Sequence, residues 1–127
     1  MNHKISYFKN IADKILAVDD AIRYVGIIGE KGNIFHGEMK EGKKLLVSQK
    51  EQEVLSADLS VMKLMQGLFD ESLGRVTFTH TVRDKVHQLV YYIDDMMVYV
   101  SCERNVDNHR IVEISNKIEP IIIKLIG

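Results

Sequence analysis

"HQLVYYIDDMMVYVSCE", residues 87–103, decides how the rest of the chain is read. Two apolar runs, residues 89–93 and 96–100, flank the pair Asp94-Asp95. One continuous helix through them would need a polar stripe along one side, and only Gln88, the two aspartates and Ser101 could supply it. Read as strands, each run has an ordinary strand length and the Val, Ile and Tyr content that suits a pleated surface. The aspartates then form the turn, with their carboxylates in water. They are punctuation in an antiparallel hairpin, not a pair of catalytic acids.

Working outward, "RVTFTHTV", residues 75–82, alternates: Val76, Phe78, His80 and Val82 face one way, Thr77, Thr79 and Thr81 the other. "RDKV" turns this strand into the hairpin. Nearer the N-terminus, Ile5, Phe8, Ala12, Ile15 and Leu16 recur at helical spacing and predict a helix over residues 4–18. "IRYVGIIG" (22–29) and "IFHGEM" (34–39) are strands joined by the turn "EKGN", where Gly32 and Asn33 suit positive φ. Ser48 and Glu51 have the spacing of a capping box. A long helix is expected from there to about Ser72, closed by a left-handed Gly74. After "ERNVDN", Ile111, Ile114, Ile118, Ile121 or Ile122, and Leu125 predict a last helix with Asp107 as N-cap. Pro120 should kink or restart it, and residues 120–126 read either as its continuation or as a strand.

The expected fold is α+β, in the order helix-strand-strand-helix-strand-strand-strand-helix. Its five-stranded antiparallel sheet would carry the terminal helices on one face and the long helix on the other. At 127 residues the chain reads as one domain over 1–127, able to bury roughly two thirds of its unfolded surface without a disulfide or metal. A net charge of −1 argues against a general nucleic-acid binder. Lys40, Lys43, Lys44 and Lys50, with Glu41 among them, read as a solvated loop. The single cysteine, Cys102, excludes an intrachain disulfide and fits a reducing cytoplasm. No run reaches the roughly 18 apolar residues of a membrane span, and the N-terminus lacks the pattern of a signal peptide.

No motif for chemistry emerges. Gly26, Gly29 and Gly32 lack the spacing of a dinucleotide fingerprint and the Gly-Lys-Ser/Thr of a P-loop. His3, His36, His80, His87 and His109 fall in no metal-ligand spacing. Cys102 ends an apolar run, the setting of an inert thiol. No catalytic, cofactor-binding or metal-ligating residue is assigned, no cofactor is called for, and the chain is expected not to be an enzyme.

The long helix carries an excess of apolar surface. At about 100° per residue it has two seams, Val54-Ala57-Val61-Leu64-Met65-Leu68 and Leu55-Leu59-Met62-Phe69-Leu73, together spanning roughly 200°. Twice the stripe of a one-sided helix allows two readings: a helix seated deep in a groove of its own domain, or one seam on the chain's own sheet and the other on a second copy. The second is the expectation taken. The expected dimer interface is Leu55, Leu59, Met62, Phe69 and Leu73.

With "YVGIIGEKGNI" as first hairpin and "VTFTHTV…LVYYIDDMMVYVSC" as closing strands, the element order resembles the Roadblock/LC7 fold, within the wider profilin-like and longin-like sandwiches. "RYVGIIGEKGNIFHGEMKEGKK", "LGRVTFTHTVRDKV" and "IDDMMVYVSCE" are similar to an uncharacterised family of small cytoplasmic proteins of ammonia-oxidising archaea, which implies no function. The Roadblock resemblance implies a non-catalytic homodimer, paired through the helix between strands two and three, that scaffolds or regulates a small GTPase or another signalling partner. The alternative is a PAS-like small-molecule sensor with Phe78, His80, Tyr91 and Tyr92 around a cavity.

Overall fold

A computed structural model describes residues 2–126. Helix α1 (Asn2–Leu16) leads into strands β1 (Ile22–Gly29) and β2 (Ile34–Met39). Helix α2 (Gln49–Gly67) and the single turn α3 (Asp70–Leu73) follow, then β3 (Phe78–Val82), β4 (Val86–Ile93), β5 (Met96–Glu103) and α4 (Asn108–Ile126). The strands form one antiparallel sheet in the order β2-β1-β5-β4-β3. The hairpin of the opening segment is present, with Ile93 opposite Met96 and the two aspartates between them.

Because side chains alternate along a strand, the two faces of the sheet build two cores. Val25, Ile27, Leu89, Val98, Val100 and Cys102 pack with Ile15 of α1 and with Ile111, Ile114 and Ile118 of α4. On the opposite face Ile28, Val90, Met97 and Tyr99 pack with Leu59 of α2. The polar groups drawn into the first core are paired. The Tyr91 hydroxyl donates to Ser115 Oγ at 2.9 Å, and buried His87 engages the Val106 carbonyl through Nε2 at 2.9 Å. Asp107 caps α4, accepting the Arg110 amide at 2.8 Å.

Several boundaries differ from the sequence expectation. Helix α1 ends at Leu16. The long helix breaks after Gly67, where the Leu68 and Phe69 amides bond back to Met65 and Gln66, three residues earlier. A glycine inside a helix costs about 1 kcal/mol relative to alanine, and here the ladder tightens and restarts as α3. Gly74 does take a positive φ of 84°, yet with ψ 165° it ends α3 and not one long helix. In the first hairpin only Gly32 has positive φ; Asn33 does not. Strand β3 starts at Phe78, and its supposed core side, Phe78, His80 and Val82, is exposed because β3 is an edge strand. Helix α4 continues through Pro120 to Ile126, so residues 120–126 form no strand. Pro120 and Asn116, whose carbonyl loses its partner, both lie on exposed positions where water can replace the bond.

The largest departure concerns which seam of α2 meets the sheet. Leu59 is 6% exposed and Leu55 packs beside it against Tyr24, Tyr92 and Tyr99, so these two residues of the expected dimer interface face the chain's own sheet. The other seam, expected to face inward, points away: Val54, Val61, Leu64, Met65 and Leu68 are all exposed. Polar residues set the rotation. Ser60 Oγ donates to the Glu30 carbonyl at 2.5 Å and Lys63 Nζ to the Asp94 carbonyl at 3.2 Å, seating α2 on the turns of both hairpins. A Cβ on Gly32 would lie 3.1 Å from Ala57 Cα and 3.2 Å from the Ser56 carbonyl, so glycine is what lets the first turn come so close.

Two outcomes follow. Leu59→Ala should cost about 2–5 kcal/mol in urea unfolding, whereas Leu64→Ala on the monomeric chain should stay within about 0.5 kcal/mol. The second concerns Asp19, which bonds Arg110 at 2.6 and 3.2 Å and ties the α1–β1 connection to α4. The Arg110 guanidinium, helped by the Ala21 amide, holds the Asp19 carboxyl below its ordinary value of 3.8. Its contribution is therefore complete above that value and is lost as pH falls through the depressed folded-state pKa. Arg110→Gln should lower the urea midpoint at pH 6, and the gap from the native protein should close on acidification into that lower range.

Candidate interaction surface

Among the described residues the most conspicuous surface feature is the outward face of α2. Leu64 is 73% exposed and Leu68 70%, with Val54, Val61 and Met65 more than half exposed. The strip runs on through Phe69 to Leu73, which is 80% exposed. At about 100° per residue Ala57, Val61, Leu64 and Leu68 share one line, with Glu53 and Asp58 flanking it and not interrupting it. Of the nineteen residues of α2 only Ser56 and Leu59 are buried. Monomeric soluble proteins rarely leave a contiguous apolar strip bare.

Of the five interface residues expected from the sequence, Met62, Phe69 and Leu73 are exposed, while Leu55 and Leu59 are taken up by the subunit's own core. The residues missed, Val54, Val61, Leu64, Met65 and Leu68, belong to the seam that the sequence pattern assigns to the sheet. The signal that could have found them is polar: Ser56, Ser60 and Lys63 lie on the Leu59 side of the helix, where turn carbonyls await donors.

The groups considered for chemistry are held in structural roles. Cys102 is fully buried, and burial, reinforced by the charge of Asp19, pushes its thiol up to about 12. At neutral pH it stays a protonated, shielded thiol, not a nucleophile. His80 and His87 meet across β3 and β4, His80 Nε2 lying 2.9 Å from His87 Nδ1. With His87 Nε2–H given to Val106, Nδ1 must accept from His80, which fixes both tautomers and pins the edge strand to the β5–α4 connection. Among the described residues no group of three or more His, Cys, Asp or Glu could hold a metal ion.

The residues named for a sensor cavity are divided between the two sides of the sheet. Tyr91 packs in the α4 core and stacks on Phe78 at 5.5 Å, whereas Tyr92 belongs to the α2 side and meets Gln66 Nε2 at 3.4 Å. Adjacent strand residues point opposite ways, and the small cavity that Phe78, Tyr91 and Tyr92 all border, about 250 Å³ at the sheet's edge beside Glu119 and Ile122, does not include His80. No described helix is long and apolar enough to cross a membrane.

The architecture matches solved structures at low identity. Over 91% of this chain and 85% of the other, it superposes on the gliding protein MglB from Thermus thermophilus with a TM-score of 0.72 and 9% identity. MglB in a tetrameric arrangement gives 0.73 and 11% identity over 93% of this chain and 87% of that one. A Roadblock/LC7 domain from Streptomyces avermitilis gives 0.64 and 10% identity over 92% and 96%. At such identities the likeness establishes a Roadblock/LC7 fold and nothing beyond it. No curated protein matches the sequence. One family model does, across nearly the whole chain, residues 3–122: the protein belongs to the family of unknown function DUF6659.

Proposed function

We propose that this chain is a single non-enzymatic interaction domain that pairs with a second copy through the outward face of α2. The observation that carries the reading is the uncharged strip from Val54 to Leu68, extended by Phe69 and Leu73 and flanked by Met62. An isologous dimer sets a patch against itself, and a strip free of charge along its centre meets its own copy without like-charge repulsion. Leu55 and Leu59 drop out of the interface expected from the sequence, and Met62, Phe69 and Leu73 stay in it. The Roadblock-like fold supports the same assignment, and MglB, of that fold, assembles in a tetrameric arrangement.

The partner class follows from the Roadblock resemblance: a small GTPase or another regulatory protein, engaged by the dimer and not chemically altered by it. From the sequence resemblance alone we infer a cytoplasmic setting in an ammonia-oxidising archaeon. Light scattering on the full chain tests the pairing. The native protein should have the mass of a dimer, and Leu64→Asp with Leu68→Asp should yield a monomer with an unchanged far-ultraviolet circular dichroism spectrum. A native protein that stays monomeric, or a double variant that stays dimeric, overturns the assignment.

A further inference from the structure

Between the N-terminal half of α2 and the sheet lies a cleft of about 660 Å³, within the range of small-molecule sites. It exists because the second core is shallow. Among the described apolar residues of α2, Leu55 and Leu59 are those that pack in this core, and Tyr24 and Tyr99, ring centroids 6.1 Å apart, rise from β1 and β5 to form the cleft floor. Met39, Leu45, Leu46 and Leu55 supply further apolar wall. Leu45 and Leu46 are more than half exposed, which no fold requirement explains.

One end of this cleft is polar and basic. The Arg83 Nε donates to Gln88 Oε1 at 2.7 Å, and Gln88 Nε2 donates to the Tyr99 hydroxyl at 2.8 Å. Gln88 and Tyr99 are each more than nine-tenths buried, so the chain of bonds holds the guanidinium in a fixed position at the cleft's end. Burial keeps the Tyr99 phenol neutral, its pKa raised. Arg23 and Lys43 share the Glu103 carboxylate at 2.7 and 2.8 Å, and Arg23 also donates to the Lys44 carbonyl at 2.8 Å. Among the described residues Arg83 has no carboxylate partner, and neither do Lys44 and Lys50, which also line the cleft. The lining holds two acids, Glu51, which also caps α2, and Asp58, against the four cations Arg23, Lys44, Lys50 and Arg83.

We propose that this cleft binds a long-chain carboxylate, its hydrocarbon chain laid between α2 and the two tyrosines and its carboxylate held by the free guanidinium nitrogens of Arg83. An apolar trough ending in an uncompensated, pre-oriented guanidinium is complementary to an amphiphilic anion, because carboxylates match the planar donor fork. Two turns of a peptide helix about 10 Å across already exceed the volume, which rules out a helical peptide as the occupant. The cleft and the outward strip meet at Val54, but Val61, Leu64, Met65 and Leu68 lie outside the cleft.

Isothermal titration calorimetry of the full chain with dodecanoate, kept below its micelle concentration, tests the proposal. One equivalent should bind saturably. Arg83→Gln should weaken binding about tenfold, the loss of a charge-assisted hydrogen bond. Leu45→Gln, in an exposed loop, should weaken it as well, while Leu64→Asp on the far side of α2 should leave it unchanged. Absence of dodecanoate binding, equal binding of dodecyltrimethylammonium, an unaffected Arg83→Gln variant, or loss of binding in Leu64→Asp would each overturn it.

Discussion

Strand β5 is the constraint on which the rest of the molecule depends. It lies between β1 and β4, bonded on both sides, and six of its eight residues are buried. Val98, Val100 and Cys102 point into one core, Met97 and Tyr99 into the other. A strand buried on both faces cannot be left with one face in water, so a second layer is obligatory on each side. Helices α1 and α4 provide one and α2 the other.

The two layers are unequal. The α1–α4 side closes tightly, with Ile15, Ile111, Ile114 and Ile118 essentially inaccessible. The α2 side is thin, and tyrosine rings stand where aliphatic side chains would have drawn the helix closer. With so little of α2 needed by its own sheet, most of its apolar surface faces outward and a trough opens beneath its first turns. The proposed pairing surface and the proposed ligand cleft thus share one origin, a helix held to the sheet mainly by two leucines and by polar bonds to the hairpin turns.

The residues with latent reactivity are turned toward structure. Cys102 is sealed in the first core, and the His80–His87–Val106 chain joins the edge strand to the segment before α4. Asp19 joins α1's end to α4 through Arg110. Each is a polar tie across elements distant in sequence, as expected where buried polar groups must find partners.

Much of this was legible beforehand from local chemistry. The alternation and β-branching of the strands, the aspartate turn at 94–95, the capping box at Ser48 and the helical spacing of isoleucines in α4 are short-range signals, and each produced the element it predicts. The break of α2 at Gly67 was readable in principle, since one glycine was already in the pattern. By itself the sequence determined the element order, the antiparallel sheet and an α2 with more apolar surface than one partner can cover. Only the tertiary structure decided which seam turns inward and where a cleft remains. A periodicity is symmetric about the helix axis, and the choice of face was made by Ser60, Lys63 and Gly32 against turns some thirty residues away in sequence.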